Sequence, residues 1–162
     1  MKFIHISDLH IGKRGNEKSL IDEQTHILNQ ICDITDAQRP DAVLIAGDVY
    51  DKAVPSGEAV LLFDDFLTKI SSLCGHIFII SGNHDSPERL GFGSEIFARM
   101  QVHVAGVFSG SLEKVTLSDG AGPLNIWLLP YVKPVQVRQF YPDIKEGSFE
   151  DAVKTVIEAA DI

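Results

Sequence analysis

The chain has 162 residues, of which 44% are hydrophobic, enough for one domain with a buried core. Its formal net charge of −9 and its pI of about 5.0 argue against binding to nucleic acid through bulk positive charge. The apolar start of the chain ends at Asp8, too early for a signal peptide, and no stretch reaches the ~18 apolar residues of a membrane span. We therefore expect a soluble, cytoplasmic protein in which Cys32 and Cys74 are reduced and structural.

The first half of the chain alternates predicted strands with predicted helices. Ser19 and Asp22 resemble a capping box that begins a first helix, which ends before Pro40, and Ser56 is placed to cap a second helix. Short apolar runs predict strands at 2–7, 42–46 and 76–81. Helical spacing predicts two buried faces: Leu20, Ile27, Leu28, Ile31 and Ile34 in the first helix, and Val60, Phe63, Leu67 and Ile70 in the second.

The second half gives weaker signals for regular structure. Ser86 followed by Pro87 predicts the start of a short helix, Gly91 and Gly93 interrupt it, and a second helical piece follows at 94–100. Strands are predicted at 102–105, 112–117 and 124–129, the last two joined by a hairpin turn at 119–122. Ser148 is expected to cap a final helix that continues to Ile162 without a stop signal.

Polar side chains follow each of the first three predicted strands. They are Asp8 and His10 after the first, Asp48 after the second, and Asn83, His84 and Asp85 after the third. Two consecutive strand–helix–strand units predict parallel strands, whose carboxyl ends lie at one edge of the sheet. We therefore expect these side chains to meet. Their carboxylate, imidazole and amide oxygen groups suit Mn²⁺, Fe²⁺ or Zn²⁺.

The residue types also suggest individual roles. Asp48, which comes from the middle strand, is placed to bridge two ions, and Asn83 can offer its carbonyl oxygen to the second. His84 is suited to contact a phosphate or to protonate a leaving group, and Asp85 to hold its imidazole in one orientation. A pair of ions in such a site clamps a phosphate and activates water for its hydrolysis.

Each of these groups alone has an ordinary structural explanation. A single aspartate is more often a loop or helix-cap residue, and Gly82-Asn83 alone is a turn signal. The role of Asp51 stays open between loop cap and functional residue. The coincidence of three polar groups at three strand ends favours a site. The remaining histidines are expected to be structural or solvated, because they lie within strands, on a helix or at the opposite end of a strand: His5, His26, His76 and His103.

The groups at 8–10, 47–51 and 82–85 resemble the first three motifs of the calcineurin-like metallophosphoesterases. Several flanking segments are similar to one branch of that superfamily, the SbcD nuclease subunits of bacterial SbcCD complexes: 47–55, 82–90, 102–106 and 129–134. The resemblance implies an α/β fold, an αββα sandwich with mixed sheets, over residues 1–162. It also implies that Asp8, His10 and Asp48 bind one manganese ion, that Asp48 and Asn83 bind the other, and that His84 is catalytic with support from Asp85.

The same resemblance implies a reaction, partners and a missing part. The reaction would be Mn²⁺-dependent hydrolysis of DNA, as a 3′–5′ exonuclease and an endonuclease, together with an SbcC-like ATPase. A homodimer would form through helices matching 56–73 and 87–100, where core burial is the equal alternative for five apolar residues: Leu61, Leu62, Ile96, Phe97 and Met100. The later Gly-His and Gly-His-x-His motifs of the family do not occur in this sequence. We therefore expect a sandwich that is incomplete at its C-terminus, without capping and partner-binding regions, and a weakly active or inactive chain.

Two rival functions remain open from the sequence. One is a small-molecule phosphodiesterase or phosphatase of the same superfamily, which the acidic net charge favours slightly. The other is a non-catalytic dimerisation or partner-binding domain.

Overall fold

A computed structural model describes residues 1–16, 18–144 and 148–162 of the chain. In chain order, the elements are β1 (Phe3–Ile6), β2 (Arg14–Gly15), β3 (Lys18–Ser19), α1 (Ile21–Gln38), β4 (Ala42–Ala46), α2 (Gly57–Ser71), β5 (His76–Ile80), α3 (Pro87–Leu90), α4 (Ser94–Ala98), β6 (Val102–Ala105), β7 (Glu113–Asp119), β8 (Gly122–Leu128), α5 (Pro134–Arg138) and α6 (Phe149–Ala159).

A parallel sheet forms the centre of the molecule, with strand order β1-β4-β5-β6. Ile6 pairs with Ile45, while Ala46 pairs with Ile80. Because of this register, strands β1, β4 and β5 end at nearly the same level. The predicted parallel pairing is confirmed, and the loops that follow these strands begin side by side.

One face of this sheet is covered by helices. Alternate residues of β4 and β5 point toward α1 and α2, as buried parallel strands require. The core on this face is apolar: Leu28, Cys32, Val43, Ile45, Phe63, Phe66, Ile70, Ile77 and Ile79 are among its members. Both cysteines are free thiols; Cys32 is buried and Cys74 is half-buried, as expected for structural cysteines.

The opposite face is covered by a two-stranded antiparallel ribbon. Leu117 of β7 and Leu128 of β8 pack against Ala42 and Phe78 of the sheet. A separate small core joins α5 and α6 to the segments that flank the ribbon: Phe108, Val132, Val137, Ala152 and Val156. The described residues therefore form a layered α/β fold with a parallel central sheet and six helices, consistent with the predicted metallophosphoesterase fold.

Most predicted helix starts are confirmed. Ser56, Ser86 and Ser148 each accept a hydrogen bond from the backbone N–H three residues later, which satisfies one exposed donor of the first turn. The predicted capping box of α1 is wrong, because Leu20 occupies the N-cap and makes no side-chain cap. The final helix stops at Ala159 and does not continue to Ile162.

Two predicted helix faces are partly wrong. Ile27 and Ile34 of α1 and Val60 of α2 are exposed, at 52%, 55% and 44%. The buried stripe of α2 runs through Phe63, Phe66 and Ile70, so Val60 lies at its border. The segment between β1 and α1 contains the short β2–β3 pair, and neither this pair nor α5 was predicted. No helix among the described residues is both long enough and apolar enough to cross a membrane.

Candidate metal centre

Two loops at the carboxyl edge of the sheet run side by side and extend the pairing of β1 with β4. The backbone N–H of Asp8 donates to the carbonyl of Gly47 at 3.2 Å, and that of His10 donates to the carbonyl of Asp48 at 2.9 Å. An isolated parallel bridge joins Ile11 to Tyr50. Backbone hydrogen bonds therefore fix the positions of the first two predicted ligand groups relative to each other.

Three of the four predicted metal ligands have left-handed backbone conformations. The φ angles are 57° at Asp8, 44° at His10 and 50° at Asp48. Such conformations cost a non-glycine residue roughly 1 kcal/mol or more, and they are concentrated at functional sites. The strained residues turn their side chains toward one another at the strand ends. The backbone thus provides evidence for a site that is independent of residue type.

The imidazole of His10 lies at the centre of this group. Its Nε2 is 3.8 Å from Oδ1 of Asp8 and 3.8 Å from Oδ2 of Asp48. Nitrogen or oxygen atoms of His10, Asp48 and His84 all lie within 4.8 Å of one another. These gaps are too long for hydrogen bonds, whereas ligands of a single ion commonly lie about 3–4 Å apart when each is about 2.1 Å from the ion.

A second observation shows that the donor set fits a cation. Nδ1 of His10 is buried and has no hydrogen-bond partner among the described residues, and the nearest carboxylate oxygen, from Asp51, is 3.8 Å away. Buried imidazole nitrogens are normally paired. Several carboxylates surround the two imidazoles: Asp8, Asp48, Asp51 and Asp85. An excess of anionic groups around unpaired imidazole nitrogens is the environment that a divalent cation stabilises.

Asp48 contacts both sides of the site. It is 7% exposed; its Oδ1 accepts a hydrogen bond from the backbone N–H of His84 at 2.9 Å, while its Oδ2 faces His10. Gly82 makes this approach possible, because a Cβ there would overlap the Oδ1 and the backbone nitrogen of Asp48. The loop after β5 can therefore close on Asp48 only with glycine at that position.

Asn83 lies on the other side of Asp48. It is exposed, and together with Asp8 and Asp48 it lines a groove of about 450 Å³ that Tyr131 and Phe149 also border. Asp48 is thus shared between this groove and the group that contains His10 and His84. The structure brings all four predicted ligands to one edge of the sheet; their roles as ligands stay predictions.

His84 is exposed, and its ring has a defined orientation. Its Nδ1 lies 3.0 Å from the backbone carbonyl oxygen of Asp51, and its ring meets that of His10 edge to face, with 4.8 Å between centroids. Because a carbonyl can only accept, Nδ1 carries the proton and Nε2 is left for chemistry. This hydrogen bond raises the pKa of His84 above the usual histidine value. The nearby carboxylates act in the same direction.

Asp85 makes contacts that differ from those expected. We expected its carboxylate to hold the His84 ring, but it accepts hydrogen bonds from three backbone N–H groups, those of Gly82, Val49 and Tyr50, at 2.8, 3.1 and 2.9 Å. It is 6% exposed. Asp85 therefore ties the loop after β5 to the loop after β4, and the carbonyl of Asp51 orients His84. Asp51 thus lies beside both histidines, with its carbonyl bonded to His84 and its carboxylate 3.8 Å from Nδ1 of His10, and a functional role for it stays a prediction.

Sequence reasoning passed over one residue next to the site. Gln24 of α1 hydrogen-bonds the loop that carries Asp8 and His10. Its position within a helical pattern gives no functional signal. His76 and His103 lie on the ribbon-covered face of the sheet, where both stack on Phe78, as expected for structural residues.

Residues 1–154 match the calcineurin-like phosphoesterase family, which covers the parallel sheet, the ribbon and every residue of the site. This family uses divalent metals to hydrolyse phosphoesters, in keeping with the carboxylates and imidazoles gathered at the strand ends. From its sequence and from the geometry of its site, the chain belongs to the calcineurin-like phosphoesterase family.

Proposed function

We propose that this protein is a metal-dependent nuclease that hydrolyses DNA phosphodiesters as the nuclease subunit of an SbcCD-type DNA repair complex. The observation that carries the proposal is the position of Asp48. Oδ2 of this buried carboxylate faces the His10 ring, and its Oδ1 faces the loop that carries Asn83 and His84. A carboxylate whose two oxygens face different groups of candidate ligands is suited to be shared by two cations that would hold one phosphodiester.

The residues divide into two ligand sets in this proposal. Asp8, His10 and Asp48 hold one Mn²⁺, and Asp48 and Asn83 hold the second. When bound, the ions supply positive charge that polarises the phosphoryl group. Hard oxygen ligands with imidazole suit manganese, and the site offers no thiolate among the described residues.

His84 acts as the proton donor in this proposal. Its Nδ1–H is held by the carbonyl of Asp51, so Nε2 is the atom that can hold and release a proton in the exposed part of the site. The raised pKa keeps more of the imidazole protonated near neutral pH. His84 therefore delivers a proton to the departing sugar oxygen, and Asp85 fixes the loop from which it extends.

The preference for DNA is supported by the flanking segments that resemble SbcD, and is opposed by the net charge of −9. A small-molecule phosphodiesterase of the same family is the second candidate. Hydrolysis of double-stranded DNA and of bis-p-nitrophenyl phosphate by the purified chain with Mn²⁺ would separate them. We expect at most weak cleavage of DNA by this chain, with any turnover favouring DNA over the small ester.

Two controls make this experiment decisive. EDTA removes the proposed cations and His84→Ala removes the proposed acid, so each should abolish cleavage. Turnover of the small ester or of cyclic nucleotides without cleavage of DNA would favour the second candidate. Cleavage that persists in EDTA would overturn the metal-dependent reaction.

We also propose a homodimer through 56–73 and 87–100, with an SbcC-like ATPase as a further partner. Leu61, Ile96 and Met100 are 65–70% exposed, which supports a contact surface there. Leu62 and Phe97, in contrast, pack against the core. Sedimentation with and without Mn²⁺ tests the dimer. A dimer that forms without any phosphodiester hydrolysis would favour a non-catalytic dimerisation domain.

A further inference from the structure

We infer that Gln24 of α1 is a positioning residue of the metal centre. Its side-chain amide makes three hydrogen bonds to the loop that carries Asp8 and His10. Nε2 donates to the carbonyls of Leu9 and His10 at 3.1 and 2.8 Å, and Oε1 accepts from the backbone N–H of Gly12 at 2.9 Å. The metal-binding part of this inference rests on the proposed function.

The loop needs these partners because of its backbone conformation. The left-handed turns at Asp8 and His10 leave some backbone groups of this loop without partners in the neighbouring loop after β4. The N–H groups of His10 and Ile11 reach the loop after β4, whereas the carbonyl of Leu9 and the N–H of Gly12 face α1. Buried or half-buried backbone groups without partners destabilise a fold by about 1–3 kcal/mol each.

Only a primary amide can satisfy this set. The carbonyl of Leu9 requires a donor and the N–H of Gly12 requires an acceptor, while the carbonyl of His10 takes a second hydrogen bond besides the one from the N–H of Lys13 at 3.1 Å. A primary amide offers two donor hydrogens and an acceptor within a single planar group. Glutamate cannot donate, and lysine and arginine cannot accept. Gln24 lies near the start of the long helix α1. The N-cap residue of this helix, Leu20, is joined to the same loop by a hydrogen bond from its N–H to the carbonyl of Lys13. Helix α1 thus holds the strained turn from outside the metal centre.

The consequence concerns His10. Gln24 donates a hydrogen bond to the backbone carbonyl of His10, so it acts directly on the backbone of the proposed ligand. Residues that orient metal ligands from outside typically change metal affinity by 10–100-fold when substituted. Gln24 reaches His10 through the backbone and touches no atom that reacts.

Gln24→Met tests the inference, because it keeps the length of the side chain and removes all three hydrogen bonds. Gln30→Met is the matched control, since Gln30 lies exposed on the same helix. In the metal-free protein, we expect exchange of the Gly12 amide with solvent to accelerate by about tenfold or more in Gln24→Met. Mn²⁺ affinity of the folded protein, measured by calorimetry, should fall by about 10–100-fold. Gln30→Met should change neither.

Gln24→Glu serves if the methionine variant does not fold. It keeps the acceptor for Gly12 and loses both donors, so the Gly12 amide should stay protected while Mn²⁺ affinity falls in spite of the added negative charge. Unchanged exchange at Gly12 in Gln24→Met would overturn the inference. So would a Gln24→Met variant that is less stable than Gln30→Met but binds Mn²⁺ with an affinity within about twofold of that control. If the wild-type chain does not bind Mn²⁺, the proposed metal centre fails, and exchange at Gly12 still decides whether Gln24 holds the loop.

Discussion

The carboxyl edge of the parallel sheet and its ribbon-covered face contain similar residue types in opposite arrangements. At the carboxyl edge, the rings of His10 and His84 meet at 85° beside Asp48. On the ribbon-covered face, the rings of His76, Phe78 and His103 lie nearly parallel to one another, with interplanar angles of 14–17°, and Glu113 is 3.6 Å from the His103 ring.

The difference shows that composition alone does not make a metal centre. Stacked rings cover one another's faces, which favours packing, and Glu113 is the carboxylate recorded beside them among the described residues. At the carboxyl edge, strained loops turn carboxylates and imidazoles toward a shared space instead. The contrast predicts that substitutions at the carboxyl edge impair chemistry, whereas those in the histidine stack impair stability.

The largest effect is expected from His84→Ala. Loss of a positioned proton donor should lower the rate of phosphodiester hydrolysis by about 10²–10⁴, measured with bis-p-nitrophenyl phosphate. The side chain is exposed, so the free energy of unfolding should be nearly unchanged. His5→Ala, at an exposed position of β1, is the control and should keep its rate. An equal loss of rate in both variants would remove the distinction between the two kinds of histidine.

Carboxylates at the carboxyl edge and on the ribbon-covered face should differ in metal binding. Asp48→Asn removes the proposed shared ligand, and we expect Mn²⁺ affinity to fall by about 100-fold or more in calorimetry. Glu113→Gln changes the carboxylate beside the stacked histidines by the same chemistry and should leave the affinity within about twofold. Similar affinities for the two variants would contradict the assignment of the site to the loops that carry Asp8, Asp48 and Asn83.

Asp85 is an exception at the carboxyl edge of the sheet, because its carboxylate binds backbone N–H groups and stabilises the loops. Asp85→Asn replaces one acceptor oxygen by a donor that faces backbone N–H groups of Val49, Tyr50 or Gly82. We expect a loss of about 3 kcal/mol in the free energy of unfolding, measured by urea titration. A variant of normal stability with a shifted His84 pKa would instead favour the ring-orienting role suggested by the sequence.

The smallest effect is expected from substitution of His76, the first residue of β5. Burial lowers the pKa of His76 below 6.5, and the neighbouring His103 acts in the same direction. Below pH 6.5 the unfolded chain therefore takes up a proton that the folded chain resists, so stability should decrease as the pH falls. His76→Phe keeps the stack and should reduce the difference in unfolding free energy between about pH 7.5 and about pH 5.5. An unchanged difference would assign the effect to groups other than His76.

The sequence predicted the sheet well for a physical reason. A strand buried on both faces is a continuous apolar run, and Ala42–Ala46 begins and ends where its run does. Serine caps are similarly local, as at Ser56. The meeting of the ligand groups followed from parallel topology.

Other features depend on contacts that carry no residue-type signal. Asp85 binds backbone N–H groups of another loop, and every residue except proline has such a group. Gln24 likewise acts on backbone atoms from within an ordinary helical pattern. The left-handed turns at Asp8, His10 and Asp48 could not be predicted either, because glycine is the residue that usually marks them.

The order of strands in the sheet has a consequence for how the chain folds. Within the parallel sheet, β1 pairs with β4, β4 with β5 and β5 with β6, in the order in which these strands occur along the chain. Every pairing therefore closes a loop that contains a single crossover. The entropy of loop closure grows only slowly with length, and these closures are similar in difficulty. We expect the chain to add strands one at a time from its first residues. A chain leaving the ribosome would thus have the predicted ligands Asp8, His10, Asp48 and Asn83 before the ribbon β7–β8 had been synthesised.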